Sequence, residues 1–124
     1  MSLNTVVGVY ASQPSGRHQK QEYYSMLARQ EWIAGAEIPY PGELAHKDDL
    51  TWLAQYLPQN WHKNTVTLIP GTMQEIGKSQ RFGLASCDVL GRRKALQYMK
   101  EMREHLDNFL QLRGAADVRY VQIH

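Results

Sequence analysis

Residues 117–124 read DVRYVQIH and are the last stretch of the chain. Val118, Tyr120, Gln122 and His124 alternate with Arg119, Val121 and Ile123, and that period of two predicts a strand. Just before it, Gly114 supplies a helix C-terminal cap. Gly114 closes a long segment from about Val89 to Arg113, in which Leu96, Met99, Met102, Leu106, Phe109 and Leu110 form an apolar stripe opposite Arg, Lys and Glu. A long amphipathic helix followed at once by a strand is one β/α step of an alternating fold.

The same alternation continues towards the amino terminus. TVVGVYAS (5–12) is β-branched and runs into the loop QPSGR, so it reads as a first strand. QEYYSMLARQEWI (21–33) carries Tyr23, Tyr24, Leu27 and Ile33 near helical spacing. GAEIPYPG (35–42) is a second strand, stopped by Pro39, Pro41 and Gly42. KDDLTWLAQYLP (47–58) is a helix with Leu50, Leu53, Ala54 and Leu57 on one side; Asp48 or Asp49 is its expected cap and Pro58 its end. NTVTLIPGT (64–72) is a third strand, with PGTM (70–73) read as a plain turn. MQEIGKSQRFGLASCD (73–88) reads as a long loop. The order β-α-β-α-β-α-β predicts an α/β protein with a parallel sheet, four strands and three helices in residues 1–124.

Bulk properties narrow the function. The 124 residues suffice for one domain, and a formal charge of +2 is too small to argue for nucleic acid or a membrane surface. No segment approaches the roughly 18 apolar residues of a spanning helix, and MSLNTVVGVY lacks the form of a signal peptide. A single cysteine, Cys87, excludes an internal disulfide, and a cytoplasmic protein is expected. The basic cluster GRRK (91–94) reads as a solvated helix surface.

In parallel α/β folds ligands sit at the carboxyl ends of the strands. That rule singles out Tyr10, Ser12, Glu37, Tyr40, Thr72 and His124. A neutral imidazole at a strand end can move a proton or bind a divalent metal. A carboxylate between Ala36 and Ile38 is expensive to bury unless it is paired or used. Tyr10 and Tyr40 offer amphipathic rings that suit a sugar face, with packing at the rim as the competing reading.

The segment from Arg81 to His124, with Leu84-Ala85-Ser86, Asp88, Arg92, Gly114 and His124, resembles the xylose-isomerase-like TIM barrels, a superfamily of sugar isomerases, sugar epimerases and apurinic endonucleases. AGAEIPYPG (34–42) resembles its second strand, with Glu37 in the acidic place. VVGVYAS, GAEIPYPG, LIPGTM and the segment from Arg81 together resemble a bacterial branch of that superfamily to which no reaction is assigned. The resemblance implies the amino-terminal half of a barrel: a single, incomplete domain that is a fragment or, alternatively, closes by pairing with a second copy through its open sheet edges. It also implies metal-assisted proton transfer next to a carbonyl of a sugar or polyol, with a divalent ion as cofactor. His124 would be metal ligand or proton carrier, Glu37 a catalytic or orienting group, and Tyr10, Tyr40 and Thr72 substrate contacts. The rival is a non-catalytic binder of a sugar-like ligand or a partner. Thr72 stands where the endonucleases of the superfamily carry a metal-binding histidine, which weakens the nuclease reading.

Overall fold

The computed structural model describes residues 3–124. Its strands are β1 (Thr5–Val7), β2 (Ile33–Pro39), β3 (Asn64–Thr67) and β4 (Val118–Gln122). They form one sheet in the order β1-β2-β3-β4, and every neighbouring pair is parallel. The helices are α1 (Arg17–Ala28), α2 (Lys47–Tyr56), α3 (Ile69–Lys78) and α4 (Val89–Arg113), with short 3-10 turns at Val9–Ala11 and Gly42–Ala45. This is an open, unclosed α/β sheet, consistent with half of a β/α barrel.

Several boundaries differ from the expectations above, each for a local reason. α3 occupies residues expected to be a turn and a loop. Pro70 sits in its first turn, where a missing N–H costs nothing. Gly71 is forced, because a Cβ there would lie 2.5 Å from the Tyr40 carbonyl oxygen and 1.7 Å from the Tyr98 hydroxyl. α1 starts and ends earlier than the apolar pattern suggested, and Ile33 belongs to β2, where it is buried. β1 stops at Val7 and β3 at Thr67, so Thr72 lies in α3. His46 occupies the cap position of α2, and Asp48 and Asp49 fall in its first turn, where their charge still favours the helix N-terminus. Leu96 is exposed, and Ala95 takes its place in the buried stripe with Met102 and Phe109, at sevenfold spacing. β4 ends at Gln122, so His124 lies two residues beyond the strand.

Ala36, Ile38 and Val66 point to the side covered by helices. There they pack with Tyr24, Leu50, Leu53, Met102, Leu106 and Phe109 in one core. Asn64, fully buried, fastens three strands where the ladder shifts register. Its Oδ1 accepts from the Ala36 N–H at 2.8 Å, and its Nδ2 donates to the Trp61 and Asp117 carbonyls at 2.7 and 3.1 Å. Gly35 allows β2 and β3 to approach, since a Cβ would meet the Lys63 carbonyl carbon at 2.6 Å.

The opposite face carries Val6, Glu37, Thr65 and Tyr120: Glu37 is in register with Thr65, and Thr65 with Tyr120. Tyr120 is 71% exposed, and β4 is exposed from Arg119 onwards. Parallel sheets are normally covered on both sides, so this face and the β4 edge are open surfaces of the unit.

Three core tyrosines link the packing to pH. Burial pushes the Tyr24 and Tyr40 phenols above their ordinary value, with Glu43 and Tyr23 adding to the first, and Glu101 and Glu104 to the second. Tyr98 is pushed up to about 12, chiefly by burial. An unfolded tyrosine loses its proton near pH 10 while the folded ones keep theirs, so the unfolded state binds fewer protons above that pH. Stability is therefore full below about pH 10 and falls as pH rises towards about 12. Urea midpoints at about pH 9 and about pH 11 should show the drop, and Tyr98→Phe should make it smaller. Equal midpoints would contradict this linkage.

Candidate functional site

The strand carboxyl ends form two hollows rather than one mouth. The first is a crevice of about 10 Å³, room for about one water, where Glu37 and Tyr10 stand beside Val9, Gln13, Tyr24 and Glu43. Glu37 is half-buried and its carboxylate makes no hydrogen bond or ion pair among the described residues. Gly8 is its neighbour, and a Cβ there would be in ordinary contact with Oε2 at 3.4 Å.

The second hollow, about 410 Å³, lies between α3, the 79–88 loop and the end of β4. Thr72 and His124 line it together with Ile69, Met73, Phe82 and Leu84. Thr72 is buried and its Oγ1 has no partner among the described residues; His124 is exposed.

Tyr40, expected at the substrate face, is on the other side of the sheet. It has the parity of Ala36 and Ile38, so its ring turns towards α4. There it packs edge-on against Tyr98, with centroids 5.3 Å apart, and its hydroxyl shares a 2.9 Å hydrogen bond with His105 Nδ1. His105 is thus half-buried and engaged. It also borders a wider hollow of about 520 Å³ between α2 and α4.

The residues behind the family resemblance have local structural work. The Asp88 carboxylate caps α4 by accepting from the Gly91 N–H at 2.8 Å. Ser86 Oγ accepts from the Asp88 N–H at 3.1 Å, and the Arg92 guanidinium donates to the Ser86 carbonyl at 2.6 Å. Gly91 cannot carry a side chain, because a Cβ would lie 1.8 Å from the Arg81 carbonyl oxygen. This lattice builds the wall of the second hollow.

The chemistry available here is that of one unpaired carboxylate, one imidazole, one buried hydroxyl and one phenol. A divalent ion needs more: no group of three or more His, Cys, Asp or Glu side chains converges among the described residues. His124 and Glu37, in separate hollows, do not make a metal site within this chain. No helix among the described residues is long and apolar enough to cross a membrane.

A family profile described as a domain of unknown function, DUF4862, matches residues 6–124. The chain belongs to this family. The chain is also similar to an uncharacterized protein, STM3670, of Salmonella typhimurium, 32% identical over 114 residues, a match covering 86% of this chain and 36% of the relative. The DUF4862 chain thus spans about a third of the length of the curated relative it matches. No solved structure matches it.

What the site residues do was unevenly signalled. Glu37 stood out as a charge inside an apolar strand. The apolar wall from α3 went unnoticed, because Pro70, Gly71 and Gly77 concealed a helix. The only hint was the spacing of Ile69, Met73 and Ile76 at i, i+4 and i+7.

Proposed function

We propose that this DUF4862 chain is the amino-terminal half of a xylose-isomerase-like barrel, and that its strand ends bind a sugar or related polyol and move a proton next to the substrate carbonyl. The half-buried, unpaired Glu37 carboxylate at the end of β2 carries the reading. A carboxylate at a strand end with no protein partner is available to engage a ligand.

In this reading Glu37 takes the proton from the carbon beside the carbonyl and returns it on the same face to the former carbonyl carbon, while the carbonyl oxygen gains a proton and the neighbouring hydroxyl loses one to groups from outside this chain. His124 holds a hydroxyl further along the substrate. Tyr10 offers its ring to the sugar. β2 and β4 are two strand spacings apart, roughly 10 Å, so an extended polyol is needed to touch both residues. A divalent ion, if the reaction uses one, would draw most of its ligands from outside this chain, with His124 as this chain's contribution. The bare sheet face and the β4 edge would be covered by further β/α units, from a longer polypeptide or a second copy.

The test is solvent-deuterium incorporation at the carbon beside the carbonyl of aldoses and ketoses, followed by proton NMR, on this chain and on the Salmonella relative. Glu37→Gln should slow exchange by about 10²- to 10⁴-fold, and His124→Ala should weaken substrate binding by about 2- to 10-fold, the worth of one hydrogen bond. The separation of Glu37 and His124 into two hollows favours the second reading, a binder without turnover. Sugar binding with no exchange in either protein would decide for it, and absence of both would end the carbohydrate reading.

A further inference from the structure

Val66 and Val121 are in register on β3 and β4 and stand on the helix-covered side of the sheet. Val66 is fully buried, whereas Val121 is 36% exposed and Ile123, on the same side by alternation, is 48% exposed. The helical cover therefore stops one strand short of the β4 edge.

α4 shows the same gap from above. At about 100° per residue, its buried stripe of Ala95, Met102, Leu106 and Phe109 has a flank on either side. One flank carries Tyr98, His105 and Leu112, which meet Tyr40 and the hollow shared with α2. The other carries Val89, Leu96 and Arg103, and here Val89 and Leu96 are 50% and 55% exposed. A right-handed β3-α4-β4 crossover turns this second flank towards the space over β4. An apolar wall on α4 and an apolar floor on β4 thus make one trough, on the side of the sheet opposite to the bare face. Neighbouring helices over a parallel sheet fill such a place, packed about 8–10 Å apart.

The trough has a basic rim. Arg93, Lys100 and Arg119 are exposed and pair with no carboxylate among the described residues, and only Arg103 has a partner, Asp107. A second copy meeting this flank symmetrically would set like charges against each other. A longer polypeptide is the better source. The match covers only 36% of the Salmonella relative, so most of that chain lies outside the matched part.

We infer that this trough seats an amphipathic helix with an apolar stripe and acidic flanks, supplied by the polypeptide that follows the counterpart of β4 in longer members of the family. The inference deepens the proposed function by naming the first element that covers the open unit. It rests on the half-barrel part of that reading and not on the carbohydrate chemistry.

The test appends to His124 about 30 residues of the Salmonella relative, the loop and helix that follow its counterpart of β4. Valine, leucine and isoleucine methyls are observed by NMR with a paramagnetic co-solute. Val89, Leu96, Val121 and Ile123 should become protected, Val6 on the bare face should not, and the urea midpoint should rise. Ile123→Asp, at an exposed position, should leave the midpoint of the unextended chain unchanged and cancel the rise in the extended one. Lys100→Glu with Arg119→Glu should reduce the rise without altering the unextended chain. A midpoint that does not rise, protection of Val6 in place of Val121, a rise that survives Ile123→Asp or is untouched by the charge reversals, or an unextended chain that dimerises and protects Val121 would each overturn the inference. Deuterium exchange into sugars reads the other proposal separately. A helix docked over β4 with no exchange or sugar binding in the relative sinks the carbohydrate reading alone, and exchange in the relative with no helix over β4 sinks this one alone.

Discussion

Replacing Arg113 by alanine should remove about 3–5 kcal/mol of folding stability, the cost of stranding a buried charge. Arg113 is the last residue of α4, and its side chain is only 2% exposed. Its guanidinium bonds Asp117 Oδ2 at 2.6 Å and also donates to the carbonyls of Ala54, Leu57, Pro58 and Trp61 at 2.7 to 3.3 Å. One planar fork therefore satisfies the orphan carbonyls around the end of α2 and neutralises a carboxylate that is itself 5% exposed. Alanine takes the guanidinium from all of them, leaving the Asp117 carboxylate to His62 and Asn64 and the carbonyls to Gln59, Asn64 and the Trp61 N–H. Lysine, a point charge with no fork, should fall between. Urea unfolding measures the loss, and replacing Asp117 by asparagine in the same chain should recover part of it through their coupling. A loss below about 1 kcal/mol for Arg113→Ala would mean that water replaces the fork and the network is not structural.

The second large effect is expected at Trp61. This side chain is fully buried at the turn between α2 and β3, with its ring edge-on to Tyr24 at 6.5 Å. Trp61→Ala should cost about 3–5 kcal/mol and lower the melting temperature by about 10–20 °C for a chain of this size. Trp61→Phe separates shape from polarity. Its indole Nε1 is buried with no partner among the described residues, so phenylalanine discards an unpaired donor along with some volume. It should therefore cost much less than alanine, in a thermal melt of both variants side by side. Equal losses would mean that the indole N–H has a partner, such as a buried water.

The ease of reading this chain follows the physics of each segment. α4 was legible end to end because 25 residues of helical period average out noise and Asp88 and Gly114 mark its limits. β4 was legible from its alternation, but its end was not, because pairing with β3 stops at Gln122. α3 was hidden by a proline and two glycines, of which only Gly71 is fixed by neighbours far away in sequence. Ile33 fits a helix stripe or a buried strand equally well, and only the pairing with Thr5 decides. Within the site, Glu37 announced itself by charge. Tyr40 was misplaced although its even spacing from Ala36 and Ile38 already put it on the helix side. The bonds that Arg113 and Asn64 make to distant carbonyls have no local signal.

The position of Asn64, Arg113 and Asp117 has a consequence for how this chain can change. All three act at the amino ends of β3 and β4, while Glu37, Thr72 and His124 sit towards the opposite pole. Variation near one pole is filtered by folding and variation near the other by chemistry. A randomised library spread over residues 69–86, with Gly71, Thr72 and Phe82 held fixed, and over 122–124 should therefore yield mostly folded proteins with altered ligand preference. The same library over residues 57–64 and 113–118 should yield few folded proteins of any preference.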